Sequence, residues 1–389
     1  MDASMNILFI AHYVDLYGAN RSLLNLLKGL KQTYGLSCHV AVPRTGALTH
    51  ELTKLGVEFI ILDIPWWFLK EHEIVQDGPL HKGRLRTTLR WIRREIRAVL
   101  RLRRVIRERK IELVHTNSVI VLTGLILSWV TAKPHVWHLR EYATLDYNLK
   151  PIIGNAGTSW LVHRSTATIS VSKSIASHFK VIGKRNARVV YNGVLDLKDV
   201  ATLARTNEKA LGSFAFCIVG VISRAKGHDE AIRALASVVK RYPGTILRIV
   251  GEGAVNDMIQ LANELGIGNH VRFDGYVDDI FPILQEVDSL LMCSRNEAMG
   301  RVTAEAMSAG LPVIGRNSGG TAELIVHGDD GLLYDNGYTE LAEQMIKLMS
   351  DKELYRRISL NALRKARANF TNESYVEQVR SLYIHLLRR

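Results

Sequence analysis

The stretch SLLMCSRNEAMGRVTAEAMSAGLPVIG, at positions 289–315, contains one complete repeat of a parallel-sheet fold. The apolar run Ser289–Cys293 predicts a strand, a helix is expected to begin near Gly300, and Pro312–Gly315 predicts the next strand. Parallel strands need a crossover connection, which is usually a helix. This stretch therefore predicts two parallel strands with a helix packed on them.

The same alternation of short β-branched runs and longer helical patterns continues along the chain in two series, which predicts two α/β domains with parallel sheets. The polar stretch 196–213 separates the series. We predict an N-terminal domain at 1–195, a C-terminal domain at 196–371, and a terminal helix at 372–389 that returns to the first domain. The predicted strands are Ile7–Ala11, Cys38–Val42, Val57–Leu62, Ile111–His115, Val136–Leu139, Thr168–Val171 and Arg188–Tyr191, then Phe214–Val221, Leu247–Val250, Val271–Asp274, Ser289–Cys293, Pro312–Gly315 and Gly331–Tyr334.

Length and composition agree with two folded domains. The chain has 389 residues, of which 47% are hydrophobic, and a formal charge of +13, which excludes a disordered or fibrous protein. Its three cysteines lie far apart in apolar surroundings, as is typical of a reducing cytosol. The run Ile7–Ala11 has no basic residues before it, so we interpret it as a strand and not a signal peptide. The longest apolar stretch, Val119–Ala132, is shorter than the roughly 20 residues of a membrane span. We therefore expect a cytoplasmic protein, soluble or peripheral to the membrane.

Two glutamates flank the start of the helix predicted near Gly300. The first turn would offer backbone N–H groups of Arg301 and Val302, and its positive dipole end, to an anion. Glu297 precedes this turn and Glu305 follows it, so their carboxylates would lie roughly 10 Å apart. A diphosphate with hydroxyl-bearing groups at both ends, as in a nucleotide sugar, fits this pattern. The alternative is that both glutamates are ordinary surface residues.

Further polar loops follow other strands of the C-terminal series. The loop Gly220–His228 carries Arg224 and Lys226, whose charges could neutralise a leaving phosphate. In Ser318–Glu323, paired glycines would let the backbone approach a ligand. The pair Asp278–Asp279 could be mistaken for a metal site, but we interpret it as an acidic cap of the next helix.

These segments together resemble a known family. Gly220–Gly227, Gly251–Gly253, Asp274–Phe281 and above all Glu297–Glu323 resemble the retaining glycosyltransferases of family four, also called glycosyl transferases group one. The resemblance implies an α/β protein of the GT-B fold, in which two Rossmann-like parallel-sheet domains face each other across a cleft.

The resemblance also implies roles for individual residues. Glu297, as a catalytic residue, would face the donor sugar hydroxyls, and the backbone of Gly300, Arg301 and Val302 would face the diphosphate. Glu305 would bind the ribose and Lys226 the phosphates. Two positions depart from the family pattern. The arginine that often follows the first glycine is here Val221, with Arg224 as a candidate substitute, and the frequent Glu-Gly-Phe-Gly is here Glu297-Ala298-Met299-Gly300, which leaves the sugar open.

The N-terminal half carries fewer signals. The loop that leads through Gly18 and Arg21 into a helix resembles the family's first loop, which reaches toward donor and acceptor. A later strand ends as His138-Leu139-Arg140-Glu141, and its histidine matches the cleft histidine of the family. We expect His138 to be catalytic, donating to a sugar hydroxyl or polarising the acceptor, with Arg140 and Glu141 beside it. The alternative is a histidine buried for structural reasons.

The resemblance suggests that the leaving group departs from, and the acceptor attacks, the same face of the sugar, with the leaving diphosphate helping to deprotonate the acceptor. No metal or other cofactor is required. The expected protein is a hexosyltransferase that moves a sugar from a nucleotide sugar to a lipid-linked or surface-glycan acceptor of lipopolysaccharide, capsule or exopolysaccharide type. The alternative is a non-catalytic GT-B scaffold or binding protein in a glycan assembly complex.

The positive charge is concentrated in one segment. Residues 82–110 hold 13 basic and two acidic residues, or +11 of the net +13. Apolar residues recur there at spacings of three and four, which predicts an amphipathic helix over 84–109. This helix could pack on the sheet with a solvated basic surface, or 84–110 could adsorb to anionic lipid at the inner face of the cytoplasmic membrane. The segment Ile64–Phe68 could insert beside it or wall the acceptor cleft. We disfavour nucleic acid as a partner because no recognised binding module accompanies the charge. The apolar positions are Leu85, Leu89, Ile92, Ile96, Val99, Leu102 and Ile106.

Overall fold

The structure, a computed structural model, describes residues 5–70, 82–203 and 214–388, with backbone alone for 82–87 and 201–203. The chain forms two compact units. The N-terminal unit comprises Met1–Gly193 and Asn372–Arg389, and the C-terminal unit comprises Val194–Thr371. The first boundary lies two residues before the predicted one, and the second coincides with it.

The N-terminal unit is built on a seven-stranded, fully parallel sheet in the order β3-β2-β1-β5-β6-β8-β9. Successive strands are added on one side of β1 and then on the other, so the topology changes direction between β1 and β5. Ligands of such sheets bind at the carboxyl ends of the strands at this switch point. The strands are β1 (Asn6–Ile10), β2 (Ser37–Val42), β3 (Glu58–Ile61), β5 (Leu113–Thr116), β6 (His135–Leu139), β8 (Ala167–Ser170) and β9 (Ala187–Val189).

Alternate residues of the central strand pack on opposite faces of this sheet, as the two-residue period of a strand requires. Ile7 and Phe9 belong to a core with the helices Gly18–Gln32 and Asn372–Leu387, whereas Leu8 and Ile10 belong to a core on the other face. That second core includes residues of the helices Lys82–Glu108 and Thr123–Thr131. The remaining helices of the unit are Ala47–Lys54, Gly154–Val162 and Lys173–His178.

A short antiparallel ribbon was not predicted. It pairs β4 (Phe68–Lys70) with β7 (Leu149–Pro151), and each strand has only three residues. Such short strands leave no periodic pattern to detect.

The C-terminal unit has a six-stranded parallel sheet in the order β12-β11-β10-β13-β14-β15. Its switch point lies between β10 and β13. Every strand predicted for the two sheets is present, with ends within two residues of the predicted ones. The strands are β10 (Ala215–Val219), β11 (Ile246–Val250), β12 (Val271–Gly275), β13 (Ser289–Met292), β14 (Val313–Arg316) and β15 (Leu332–Tyr334). The helices are Leu197–Leu203, His228–Val239, Val255–Glu264, Phe281–Glu286, Arg301–Ser308, Thr321–Leu324, Gly337–Ser350 and Lys352–Asn369, with 3₁₀ turns at Arg224–Lys226 and Gly268–His270.

The predicted linker at 196–213 is only partly a linker. The helix Leu197–Leu203 occupies its first part and buries Val200 completely. Positions 204–213 lie outside the described residues. The three cysteines are buried free thiols. Across 5–70, 82–203 and 214–388, the helices are too short or too polar to span a membrane.

Candidate functional site

The loops that follow β10 and β13 meet at the switch point of the C-terminal unit. Gly227 adopts a positive φ of 76°, and a Cβ at this position would lie 2.4 Å from the Cβ of Cys293. Only glycine allows this approach. It holds the turn Arg224–Lys226, which the hydroxyl of Ser223 caps by accepting from the Lys226 N–H, against the end of β13.

This approach brings the predicted donor-site residues together. The Nζ of Lys226 lies 2.8 Å from Oε2 of Glu297, and the Nε of Arg301 lies 2.8 Å from Oε1 of Glu305. The second pair is nearly buried, whereas the Lys226 side chain remains 38% exposed. Each carboxylate expected to face hydroxyl groups is therefore ion-paired with a nearby cation in this structure. Arg224 is exposed in the same turn as Lys226.

The helix Arg301–Ser308 begins directly after Gly300, which has a φ of 86°. Gly300 has no side chain with which to cap the first N–H groups of the helix, those of Arg301 and Val302. Backbone donors and the helix dipole at such a terminus favour an anion. A helix N-terminus therefore lies at the predicted diphosphate position.

The loop before this helix is held from behind by Ser318 and Gly320. Ser318 donates its hydroxyl to the Arg295 carbonyl at 2.9 Å, and the Gly320 N–H donates to the Glu297 carbonyl at 2.7 Å. A Cβ on Gly320 would lie 2.4 Å from the Ala298 carbonyl oxygen. We expected this glycine pair to admit a ligand, but the open side of Gly320 is filled by protein backbone. Its role here is to support the loop that carries Glu297.

Two further supports were missed by the sequence analysis. His228 lies with its Nδ1 3.2 Å from the Ser223 carbonyl, and burial lowers the pKa of the imidazole to about 4. The guanidinium of Arg316 donates to both carboxylate oxygens of Glu230, at 2.9 and 2.7 Å. These contacts fix the helix His228–Val239 behind the turn that presents Lys226. A histidine directly after the Lys-Gly pair was the only sequence signal available.

Asp279, the second residue of the acidic pair Asp278–Asp279, contacts the start of the next helix. The carboxylate of Asp279 accepts the backbone N–H of Phe281 at 3.1 Å, immediately before the helix Phe281–Glu286. Asp279 is therefore a cap of this helix.

The first loop of the N-terminal unit follows β1 at the other switch point. Gly18 is exposed and opens the helix Gly18–Gln32, and Arg21 donates from Nε to the Leu16 carbonyl at 2.8 Å. The sequence analysis missed Asn20, which is fully buried. Its amide donates to the carbonyls of Tyr13 and Asp15, at 3.0 and 2.9 Å, and so fixes the shape of the loop before Gly18.

His138 is enclosed in the N-terminal unit near the end of β6, and its contact with a sugar or acceptor stays a prediction. The side chain has no solvent exposure, and its Nδ1 lies 3.3 Å from Nε2 of His115. The other ring nitrogen of His115 lies 2.6 Å from the hydroxyl of Tyr383 in the terminal helix. Burial, reinforced by the charge of Arg140, lowers the pKa of His138 well below its usual value. A neutral, enclosed ring in this unit packs and orders its neighbours.

Arg140 and Glu141, expected on the acceptor side, are also buried. Arg140 donates to the Asn117 and Asn192 side chains, both at 2.7 Å, and to the Tyr375 hydroxyl at 2.9 Å. Glu141 accepts the backbone N–H of Val119 at 2.8 Å, and burial raises the pKa of its carboxyl to about 7. Both side chains tie the end of β6 to neighbouring segments of the same unit. Both side chains therefore have hydrogen-bond partners inside the N-terminal unit, and their place beside an acceptor stays a prediction.

The basic segment forms one helix, Lys82–Glu108. Its second half packs on the sheet through Ala98, Val99, Leu102 and Ile106. The arginines Arg93, Arg97, Arg101 and Arg104 remain exposed. The helix thus packs on the sheet as one interpretation predicts, and its adsorption to anionic lipid stays a prediction.

The segment Ile64–Phe68 is mostly enclosed. Trp67 is buried and donates its indole N–H to the Val119 carbonyl at 2.7 Å, and Ile64 and Phe68 are buried as well. Trp66 is partly exposed and donates to the His12 carbonyl at 3.0 Å. Ile64, Trp67 and Phe68 are therefore enclosed by protein and not exposed for insertion into a membrane.

Known proteins match the whole of this architecture. Residues 17–195 match the family described as Glycosyltransferase Family 4, and residues 199–365 match Glycosyl transferases group 1. The N-acetyl-alpha-D-glucosaminyl L-malate synthase of Bacillus anthracis is 29% identical over 235 residues, 58% of this chain and 61% of that protein. The lipopolysaccharide core biosynthesis glycosyltransferase LpsE of Rhizobium meliloti is 29% identical over 52% of this chain and 58% of that protein. The match thus spans about three fifths of the length of these curated relatives.

Among solved structures, Anabaena Alr3699/HepE in complex with UDP superimposes with a TM-score of 0.76 at 23% identity. The alignment covers 98% of this chain and 100% of that one. The chain therefore belongs to the glycosyl transferases of group 1 and family 4, and its two parallel-sheet, Rossmann-like units have the GT-B fold.

Proposed function

We propose that this protein is a retaining hexosyltransferase that moves a sugar from a nucleotide-sugar donor to a lipid-linked or surface-glycan acceptor. The acceptor is of lipopolysaccharide, capsule or exopolysaccharide type, and the reaction takes place at the cytoplasmic face of the membrane. The observation that carries the proposal is the pairing of Lys226 with Glu297, three residues before the glycine at which the helix Arg301–Ser308 begins.

The charges at this position suit a sugar diphosphate. Lys226 and the N–H groups of Arg301 and Val302 stabilise the negative charge that develops on the diphosphate as it leaves. Glu297 and Glu305 accept hydrogen bonds from the sugar and ribose hydroxyls. Because these residues supply charge stabilisation by themselves, the proposed reaction needs no metal, and turnover should persist in excess chelator.

The donor is tested directly by incubation with a panel of nucleotide sugars and detection of nucleoside diphosphate release. UDP-sugars come first in the panel, because HepE has been crystallised with UDP-glucose. Lys226→Met should lower the rate of release by about 100-fold or more, whereas Lys240→Met, at an exposed lysine of the same unit, should leave it unchanged. Absence of both release and donor binding across the panel would refute the proposal. Donor binding without release would instead support the scaffold alternative.

Retention of the anomeric configuration is tested by a separate measurement. The anomeric configuration of the product linkage, determined by NMR coupling constants, should equal that of the donor sugar. An inverted linkage would contradict this part of the proposal while leaving the transferase activity intact.

The membrane location rests on the basic helix Lys82–Glu108 and on the nature of the acceptor. Exposed arginines beside an anionic surface each contribute about 1 kcal/mol of attraction. LpsE, one of the relatives, is named for lipopolysaccharide core biosynthesis. Flotation with anionic vesicles should be lost when Arg93, Arg97, Arg101 and Arg104 are changed to Glu. Unchanged flotation of this variant would contradict the membrane location.

A further inference from the structure

An ion pair joins the helix that follows Lys226 to another strand of the same sheet. Glu230 lies in the first turn of the helix His228–Val239, and Arg316 is the last residue of β14. One guanidinium nitrogen donates to both carboxylate oxygens, and the side chains of Glu230 and Arg316 are only 9% and 16% exposed. The cost of removing two charges from water offsets much of their attraction, so an enclosed pair of this kind adds little net stability. What the pair does impose is a fixed position of the helix relative to β14.

Tyr334 holds the guanidinium of Arg316 on the sheet. The two residues are aligned in the register of β14 and β15, and the guanidinium carbon lies 5.5 Å from the centre of the tyrosine ring. The tyrosine is fully buried. A cation over an aromatic face is attracted to it more strongly when both are removed from water. Arg316 is therefore the anchored member of the pair, and Glu230 attaches its helix to that anchor.

The position of this helix determines the position of Lys226, which lies only four residues before Glu230. The carbonyl of Gly227, the residue after Lys226, accepts the backbone N–H of Ala231 at 3.0 Å. The turn that presents Lys226 therefore continues directly into the helix, and a shift of the helix start would move the lysine with it.

Arg316 also leads into the backbone that supports Glu297. The chain continues from the end of β14 to Gly320, whose N–H donates to the Glu297 carbonyl at 2.7 Å. Between them, the Asn317 N–H donates to the Tyr334 carbonyl at 2.8 Å and keeps this segment on the sheet. One ion pair thus connects the backbone behind Lys226 with the backbone behind Glu297.

We propose that Glu230 and Arg316 are positioning residues of the transfer reaction, whose ion pair sets the place of Lys226 relative to Glu297. The inference deepens the proposed function and rests on it. The pair acts through Lys226, which aligns with the leaving diphosphate only while the helix start is held. A displacement of about 1 Å in a reacting arrangement can cost about 100-fold in rate. The pair therefore contributes to the rate of transfer more than to the stability of the protein.

A double substitution separates these two contributions. Glu230→Met with Arg316→Met removes both charges and fills their place with apolar side chains, so the melting temperature should stay within about 3 °C. We expect kcat to fall by about tenfold or more, with KM for the donor within about threefold of the native value. Arg316→Lys keeps a cation opposite Glu230 and should recover part of kcat. A native kcat in the double variant would overturn the proposal.

Arg316→Met alone leaves Glu230 buried without its partner and should lower the melting temperature. Its matched control is Lys365→Met, which breaks another enclosed pair of the same unit, with Asp330 at 2.7 Å. Both variants should be destabilised, but only Arg316→Met should lower kcat per folded molecule. Equal losses of kcat in the two variants would assign the effect to destabilisation and contradict a positioning role.

The same double substitution in a Lys226→Met background tests whether the pair acts through the lysine. Without the ammonium group there is nothing for the pair to align, so kcat should fall by less than about threefold. The same loss of kcat with and without Lys226 would overturn the proposal. These outcomes all require a native protein that releases nucleoside diphosphate. Absence of release from every donor would instead refute the proposed function, and this inference with it.

Discussion

The ammonium group of Lys226 lies 2.8 Å from a carboxylate oxygen of Glu297, although 71 positions separate the two residues in the sequence. The contact exists because β10 and β13 are neighbours in the sheet, so the loops that follow them meet. In this structure each charge neutralises the other. A bound diphosphate would give Lys226 a second anionic partner and leave Glu297 to accept hydrogen bonds from hydroxyl groups.

Lys226→Met should therefore remove transition-state stabilisation. We expect kcat to fall by about 100-fold or more, the range found when a preorganised charge or donor is deleted from a transition-state site. The melting temperature should change little, because Lys226 is partly exposed and such ion pairs add little stability. Steady-state kinetics and thermal unfolding measure the two effects. A change in KM alone would mean that Lys226 binds the donor equally in the ground and transition states.

Gly320→Ala should act on the same site without touching the donor. The new methyl group would overlap the Ala298 carbonyl oxygen and lie 2.6 Å from the Met299 Cα, so the loop that carries Glu297 must move. Overpacking of this kind costs about 1–3 kcal/mol of stability. We also expect KM for the donor to rise.

Gly157→Ala is the matched control for this variant. Gly157 lies in the N-terminal unit, and its new methyl group would meet only Ile153, whose half-exposed side chain has Cγ1 and Cδ1 2.8 Å away and can turn aside. Normal donor kinetics in Gly320→Ala would show that the support of the loop does not position the site.

The sequence predicts the strands and helices of this protein better than it predicts which residues they bring into contact. Alternating β-branched and helical patterns are local, so they identified both sheets. The approach of Gly227 to Cys293 depends instead on strand order, which no local pattern encodes. The helix Lys82–Glu108 shows the same limit. Ile92 and Val99, seven residues apart, lie on nearly the same side of this helix, but only Val99 is buried against the sheet.

The acceptor-side residues were harder to predict for another reason. His138 and Arg140 follow the family pattern at the end of a strand, but their surroundings come from a helix more than 230 positions later, through Tyr375 and Tyr383. Burial by a distant segment changes what a polar residue does, and a local motif carries no information about that segment.

Glu95 should make stability depend on pH. Burial raises the pKa of its carboxyl to about 7, above the 4.5 expected in the unfolded chain. Between these values the unfolded chain loses the proton first, so the free energy of unfolding falls as pH rises. Above pH 7 the buried charge costs about 3 kcal/mol. Glu95→Gln stays neutral, so it should be more stable than the native protein at pH 8 and equally stable near pH 4.5.

Thermal unfolding at both pH values measures this difference. Glu343→Gln, at an exposed glutamate, provides the comparison and should show no such pH dependence. A Glu95→Gln variant with the same stability increment at pH 4.5 and pH 8 would show that Glu95 is not charged at a cost in the folded protein.

His138→Ala distinguishes a structural histidine from a catalytic one. The ring is enclosed and contacts His115, so its removal should leave a cavity and lower the free energy of unfolding by about 2–4 kcal/mol. We expect turnover per folded molecule within about tenfold of the native value. The pH profile of kcat/KM should keep its shape, because a pKa held well below the usual value keeps His138 neutral throughout.

Tyr383→Phe, which removes the hydroxyl that contacts His115, should also lower the free energy of unfolding, by about 1 kcal/mol. If His138→Ala instead lost activity by more than about 100-fold without a change in melting temperature, the histidine would have to reach the reacting groups, and the structural role inferred from its burial would be wrong.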